Sequence, residues 1–468
     1  MTESRIASAP STVERLADWA ISLRTRDITP AAIQQAKLLL LDTLGCGLAG
    51  AEEHSARAVL EACAAIGGAP HCSVIDRASK TSLLNAVLAN GMLIRLLDLN
   101  DYVIDPDGAI GGHPSDNIPV ALAAGELEGR SGRDALAAIV LGYELYGRCK
   151  NAMDRGSAWD GASLSGIVAP VMAGWLMRLD RPALAHAIAL SLARAATSAV
   201  VRWGSMSAAK SLANALVAQN GVQAALLARH GVTGPLAVLD HPRGMKAVFP
   251  KLDAALLTLP LQPDSYVMKS NVKAFPCVAT AQAAVAAGLA VHRLIGGDVA
   301  KLGRIRVVMA DVPTVRAHQQ DRERADPTSR EAADHSFPFL IAAALVDGHF
   351  GLSQFDGERW NDPALRALMA RMEMTTDAGL AQRAPGSYPC LLESDGRDGR
   401  SYRAEVLFPP GFSRGGLERE AIVDKFDALL TPRLPRTVRE GIIDAVMTLD
   451  DSSSLTTLVA ALAAAATA

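Results

Sequence analysis

Three short runs place ionisable side chains just ahead of apolar, helix-like stretches: His113-Pro114-Ser115-Asp116, Lys273-Ala274-Phe275-Pro276-Cys277 and Ala333-Asp334-His335-Ser336-Phe337-Pro338-Phe339. A helix start turns unpaired N–H groups and a partial positive charge toward whatever precedes it. Several such starts, with lysine and histidine around them, would make a pocket for a multiply charged carboxylic acid.

Two lysines stand out by position. With Ser207 as a cap, Lys210 falls in the first turn of a helix, where a cation is disfavoured by about 0.3–1 kcal/mol. A broken local rule points toward function. Lys273 precedes Phe275-Pro276, and a proline that opens a helix would put this lysine, too, just outside a helix start. A solvated lysine is the commoner fate of either residue. Asp98, Asp101, Asp105, Asp107 and Asp116 crowd around His113. They lack the ordered spacing of a calcium loop, so a solvated acidic loop is the simpler reading. His113 can serve as general acid or base, or its ring can simply bond a backbone carbonyl. Asp334-His335-Ser336 cannot act as a relay, because neighbours in one chain do not converge as a triad must. Helix capping by Asp334 or Ser336 fits better, with His335 lining the cavity. No nucleophile elbow, phosphate loop or dinucleotide fingerprint is present.

The elements that must position these groups are mostly helical. Half of the 468 residues are hydrophobic but only 4% are aromatic, so the core is made of Ala, Leu, Val and Ile. Alanine-rich sequence favours helix. We expect a mainly α protein, with a large all-α domain (1–263), a smaller α+β domain (264–410) and C-terminal helices (411–468) packing back on the first. Gly303–Met309 alternates as a strand, and Cys390–Glu393 with Tyr402–Leu407 frame a hairpin. The net charge is −3 and no basic stripe occurs, which argues against nucleic acid. Six scattered cysteines suit a reducing, cytoplasmic setting. Charges at Glu3, Arg5, Glu14 and Arg15 interrupt any leader-like run. The uncharged stretches 161–177 and 452–468 are too short and too weakly apolar to span a membrane. Both are expected to be buried bundle helices.

At these residues the chain resembles the MmgE/PrpD family of 2-methylcitrate dehydratases, cis-aconitate decarboxylases and iminodisuccinate epimerases. The resemblance runs through Leu97-Asp98-Leu99-Asn100-Asp101, His113-Pro114-Ser115, Gly142-Tyr143-Glu144, Lys210, Thr233-Gly234-Pro235, Lys273-Ala274-Phe275-Pro276 and Ala333-Asp334-His335-Ser336. It implies an all-α domain plus an α+β domain, a homodimer, and cofactor-free and metal-free chemistry on a small di- or tricarboxylate between the domains. Carried over by position, Asp98, His113, Lys210 and Lys273 form the catalytic set. Tyr102, Asp160 and His335 form the substrate-binding set. The chain departs from decarboxylase-like members at Asp160 and Val278, where they carry histidines, and at Phe339, where they carry tyrosine. Tyr102 stands where some members have threonine. These departures weigh against cis-aconitate decarboxylation.

The leading expectation is a 2-methylcitrate dehydratase-like hydro-lyase that removes a proton beside a carboxylate. The alternative is an epimerase or isomerase of an amino or imino dicarboxylate. A catalytically silent binding protein is the third reading, since fold does not fix function.

Overall fold

The computed structural model describes residues 9–23, 25–104, 110–153, 158–204, 206–261, 266–413 and 415–468. Asp105 and Asp107, the boundary at 263/264, and Glu3 and Arg5 lie outside the described residues.

The helical region begins as its capping residues direct. Ser11 and Glu14 form a reciprocal capping box for helix Thr12–Ser22. Thr29 caps helix Pro30–Ala49, with proline in the first turn. Ser82 caps Leu83–Arg95, and Ser131 caps Gly132–Ala152. Helices Ile118–Leu127, Ser165–Leu176, Arg181–Leu192 and Ala209–Arg229 complete the layer. The sequence reading missed helix His54–Ile66, whose face buries only Ala56 and Cys63 and so leaves a weak pattern.

Ala209–Arg229 is central to this layer. It packs against Leu83–Arg95, Ser165–Leu176 and Arg181–Leu192. Small residues permit the approach: a Cβ on Gly91 would lie 2.6 Å from the Ala215 Cβ. One apolar core joins these helices to Ile422, Phe426, Leu430, Ile442 and Leu458 of the C-terminal helices Arg419–Leu430, Arg436–Met447 and Thr456–Ala465.

A second apolar core takes in Tyr102 and, from Cys277 onward, includes Leu302, Ile305, Val307, Phe339, Ile341, Cys390 and Leu392. It lies between helices Gln282–Ile295 and Phe337–Asp347 and a four-stranded mixed sheet. The strand order is 372–377, 302–310, 390–396, 401–406. The first pair is parallel and the other two are antiparallel, with Cys390 opposite Val406 in the hairpin. Edge strand Met372–Asp377 was not anticipated; none of its residues is fully buried, so no in–out alternation marks it.

Of the two uncharged stretches, Ser165–Leu176 is buried almost throughout. Thr456–Ala465 is not: only Leu458, Leu462 and Ala465 are buried, and it is a surface helix with one apolar edge. Among the described residues, no helix is long and apolar enough to cross a membrane. All six cysteines are buried and unpaired.

Candidate active site

Between the two cores lies a cavity of about 580 Å³. Its wall takes Arg95, Asp98, His113, Asp116, Asp160, Arg202 and Asn214 from the helical region, and Lys273, Val278, His318, Arg324 and His335 from the chain beyond it. 3-10 starts reach this wall at Gly161, Ala199 and Ala279.

Asp98 is the hub. It follows helix Leu83–Arg95 in a left-handed backbone conformation, φ 49°. That conformation is uncommon for a residue with a side chain, and it persists where surrounding contacts hold it. Here the Asp98 carbonyl accepts the Lys273 ammonium at 2.8 Å and its Oδ1 accepts the same ammonium at 2.6 Å. Arg95 Nη1 donates to the same Oδ1. The Lys210 ammonium lies 3.6 Å from Oδ2. Burial alone would push the Asp98 carboxyl up, but Arg95, Lys273, Lys210 and His335 outweigh it and hold it well below the usual range.

Arg95 extends the chain of charges. Its Nη2 lies 3.0 Å from His113 Nε2, and its Nε lies 3.8 Å from Asp116 Oδ2. A guanidinium only donates, so His113 Nε2 is the acceptor and Nδ1 carries the proton to the Asp101 carbonyl. Burial and then the Arg95 and Lys273 cations push the His113 pKa well down, keeping the ring neutral. Asp116 moves the other way. Burial outweighs Arg95 and Arg202 and raises it to about 6. Behind it, Asp101 is raised to about 7 by burial, against hydrogen bonds from Ser115 and Tyr143.

Lys210 lies in the first turn of Ala209–Arg229, as its position suggested, but the cap residue is Ala208 and no side chain caps the helix. Its ammonium is fully buried behind the cavity wall, 2.9 and 3.0 Å from the Asp334 oxygens and 3.4 Å from His335 Nδ1. His335 is driven down to about 3 by burial and by Lys210, against Asp334 and Asp98. Ser336, not Asp334, caps helix Phe337–Asp347. Pro276 starts no helix. The 3-10 turn begins at Ala279, and Lys273 sits in a loop held by Gln282. The Gln282 Oε1 accepts the amides of Ala274 and Phe275 at 3.0 and 3.1 Å, and its Nε2 donates to the Phe275 carbonyl at 2.8 Å.

The structure therefore brings Asp98, His113, Lys273, Asp160 and His335 to one wall, with Lys210 directly behind. Tyr102 is not part of that wall. Its ring is buried with Cys277 in the second core, and its backbone bridges Asn271. Arg95, Arg202, Arg324 and His318 escaped the sequence reading. Arginine on helix surfaces is common, and nothing local marks these as buried. Arg95 is the partial exception, because it precedes Asp98 by three residues at the end of an apolar helix.

Asp98, Asp334 and His335 bring ligand-type atoms within 4.8 Å of one another. The Lys210 ammonium already sits against both carboxylates, with Lys273 and Arg95 on Asp98. A divalent ion would meet these fixed cations, so this donor set fits an ammonium better than a metal.

An all-α region is joined to a mixed-sheet region, and both contribute to the wall of one cavity that carries Arg95, Arg202, Lys273 and Arg324. Residues 14–255 match the MmgE/PrpD N-terminal domain and residues 275–451 match the MmgE/PrpD C-terminal domain. The chain belongs to the MmgE/PrpD family. It is similar to a cis-aconitate decarboxylase of Homo sapiens, 27% identical across 96% of this chain and 94% of the relative. It is also similar to a 2-methylcitrate dehydratase of Cupriavidus necator, 25% identical across 88% of this chain and 89% of the relative. A mitochondrial 2-methylcitrate dehydratase of Yarrowia lipolytica is 24% identical across 95% of this chain and 88% of its own length.

Proposed function

We propose that this protein is a lyase for a small tricarboxylate, and that its reaction is dehydration of a 2-methylcitrate-like hydroxy acid. The observation that carries the reading is the unbroken chain Lys273–Asp98–Arg95–His113 along the cavity wall. Relatives named for action on cis-aconitate and 2-methylcitrate support the substrate class.

In this reading a substrate carboxylate displaces contacts on Arg95 and Lys273. It takes Arg95 away from His113 and frees the Nε2 lone pair. Neutral His113 then accepts the proton from the carbon beside that carboxylate. Charge builds on the carboxylate as an enediolate-like species. Arg95 and Lys273 stabilise it more than the ground state. Asp116, raised to about 6, supplies a proton to the departing hydroxyl. Lys210 acts through Asp98, Asp334 and His335 and holds them in place. Val278 and Asp160 stand where the decarboxylase-like pattern carries imidazoles, which favours dehydration over loss of CO2.

The test is a substrate panel with purified protein. Growth of ultraviolet absorbance from a conjugated double bond with 2-methylcitrate, lost in Lys273→Ala, is the expected result. Release of CO2 from cis-aconitate without dehydration would replace this reading with decarboxylation. Solvent deuterium uptake at unchanged composition would replace it with epimerisation. Binding without any turnover would leave a silent carrier.

A further inference from the structure

The part of the cavity wall that the mechanism leaves unused is made by Asp160, Arg202, Trp203 and Arg324. Arg202 Nε donates to Asp160 Oδ2 at 2.7 Å, so that pair is mutually satisfied. Arg324 arrives from the sheet-bearing region on the short helix Arg322–Ala325. Its Nε donates to Asp321 Oδ2 at 3.1 Å, and its Nη2 donates to the Arg202 carbonyl at 3.2 Å. The guanidinium lies 5.3 Å from the Trp203 ring centre. These contacts fix the plane of the fork.

The remaining nitrogen is the exception. Arg324 is only 3% exposed and lines the cavity, yet its Nη1 has no hydrogen-bond partner among the described residues. Buried polar groups nearly always have partners, and an orphan of this kind calls for an explanation. A fixed, desolvated guanidinium N–H on a residue that lines a cavity is a ready donor for a carboxylate oxygen. The contacts that hold Arg324, on Asp321, Arg202 and Trp203, are separate from those that tie Arg95 and Lys273 to Asp98, where the proton transfer is placed. His318 and His335 line the same cavity, their ring centres 6.3 Å apart.

We propose that Arg324 is a specificity residue: its free Nη1 takes a carboxylate on the arm of the substrate remote from the reacting carbon, and so selects tricarboxylates over dicarboxylates. The proposal rests on the tricarboxylate lyase reading for its biological meaning, but its test is a binding measurement that needs no turnover. The probes are propane-1,2,3-tricarboxylate and glutarate, which differ by one carboxylate and carry no hydroxyl to lose. Calorimetric titration of wild-type protein should show at least about tenfold tighter binding of the tricarboxylate. Arg324→Met should bring the two affinities within about threefold by weakening the tricarboxylate and leaving glutarate unchanged. Arg324→Lys, which keeps the charge without the fork, should fall between them and stands in if the Met variant does not fold. Equal binding of both probes by the wild type, or full discrimination retained by the variant that folds, overturns the proposal. Discrimination that tracks Arg324 in a protein that dehydrates no hydroxy tricarboxylate would sink the lyase reading and leave this one standing. Dehydration with discrimination indifferent to Arg324 would do the reverse.

Discussion

Replacing Asp98 with asparagine isolates the charge at the centre of the site. The two side chains have nearly the same shape, and asparagine tolerates the left-handed backbone that Asp98 adopts at φ 49°. The change therefore removes an anion and little else. Three cations lose it: Arg95, Lys273 at 2.6 Å and Lys210 at 3.6 Å. Breaking a buried ion pair by removing one partner costs about 3–5 kcal/mol. Lys210 keeps Asp334 at 2.9 Å and Arg95 keeps Asp116 at 3.8 Å, so the uncompensated charge is mainly that of Lys273. The lower end, about 3 kcal/mol, is the expected loss. For a chain of 468 residues, at about 1–2 °C per kcal/mol, the melting midpoint should fall by about 3–6 °C. Propane-1,2,3-tricarboxylate should raise the midpoint of Asp98→Asn more than that of the wild type, because the ligand supplies the missing negative charge. Turnover of the dehydration substrate should drop at least about hundredfold, since the fixed cations are no longer held in register. Melting curves and initial rates on the same preparations make the measurement. A variant within about 1 °C and about twofold of wild type would refute the account of Asp98 as the hub.

Lys273→Ala and Lys210→Ala should each cut turnover at least about tenfold, roughly 1.4 kcal/mol in the barrier; near-normal rates in both would remove the lysines from the site. For His335, whose folded pKa is pushed down to about 3, the unfolded chain takes up a proton near pH 6.5 that the folded chain refuses. Its contribution to stability is complete above pH 6.5 and is lost as pH falls toward 3, about 2 kcal/mol of it by pH 5. Denaturant titrations of wild type and His335→Gln at pH 7 and pH 5 should show the wild type losing about that much more than the variant; parallel losses would contradict the burial of a neutral ring. Gly91→Ala would place a Cβ 2.6 Å from Ala215 and force apart the helices that carry Arg95 and Lys210. It should cost about 1–3 kcal/mol of stability and lower kcat as well, read by melting and by rate; unchanged values in both would show that this contact can relax freely.

Much of the helical framework was legible from local chemistry. Ser11, Thr29 and Ser82 mark helix starts because a side-chain oxygen satisfies an amide that the helix itself cannot. Strand 302–310 was legible because its two faces differ in burial. Strand 372–377 and helix His54–Ile66 were not, because each presents too little buried surface to leave a period. The expectation that Pro276 opens a helix failed because Gln282 ties the Lys273 loop through side-chain hydrogen bonds that no spacing rule reveals.

By itself the amino-acid sequence determined that this chain is a mainly helical, alanine-rich protein of the MmgE/PrpD type, and it singled out both lysines, Asp98, His113 and His335. Those features are local: residue type, capping oxygens and motif order. Only tertiary structure decided that Lys273 and Lys210 meet on Asp98, that Arg95 joins that charge to His113, that Tyr102 packs in the second core, and that Arg324 lines the cavity with a buried nitrogen unpaired. Partners such as Lys273 and Asp98 lie 175 residues apart in the chain. Whether a charged side chain is solvated or buried against its counter-charge depends on how whole layers pack, and that is not encoded in any short stretch of sequence.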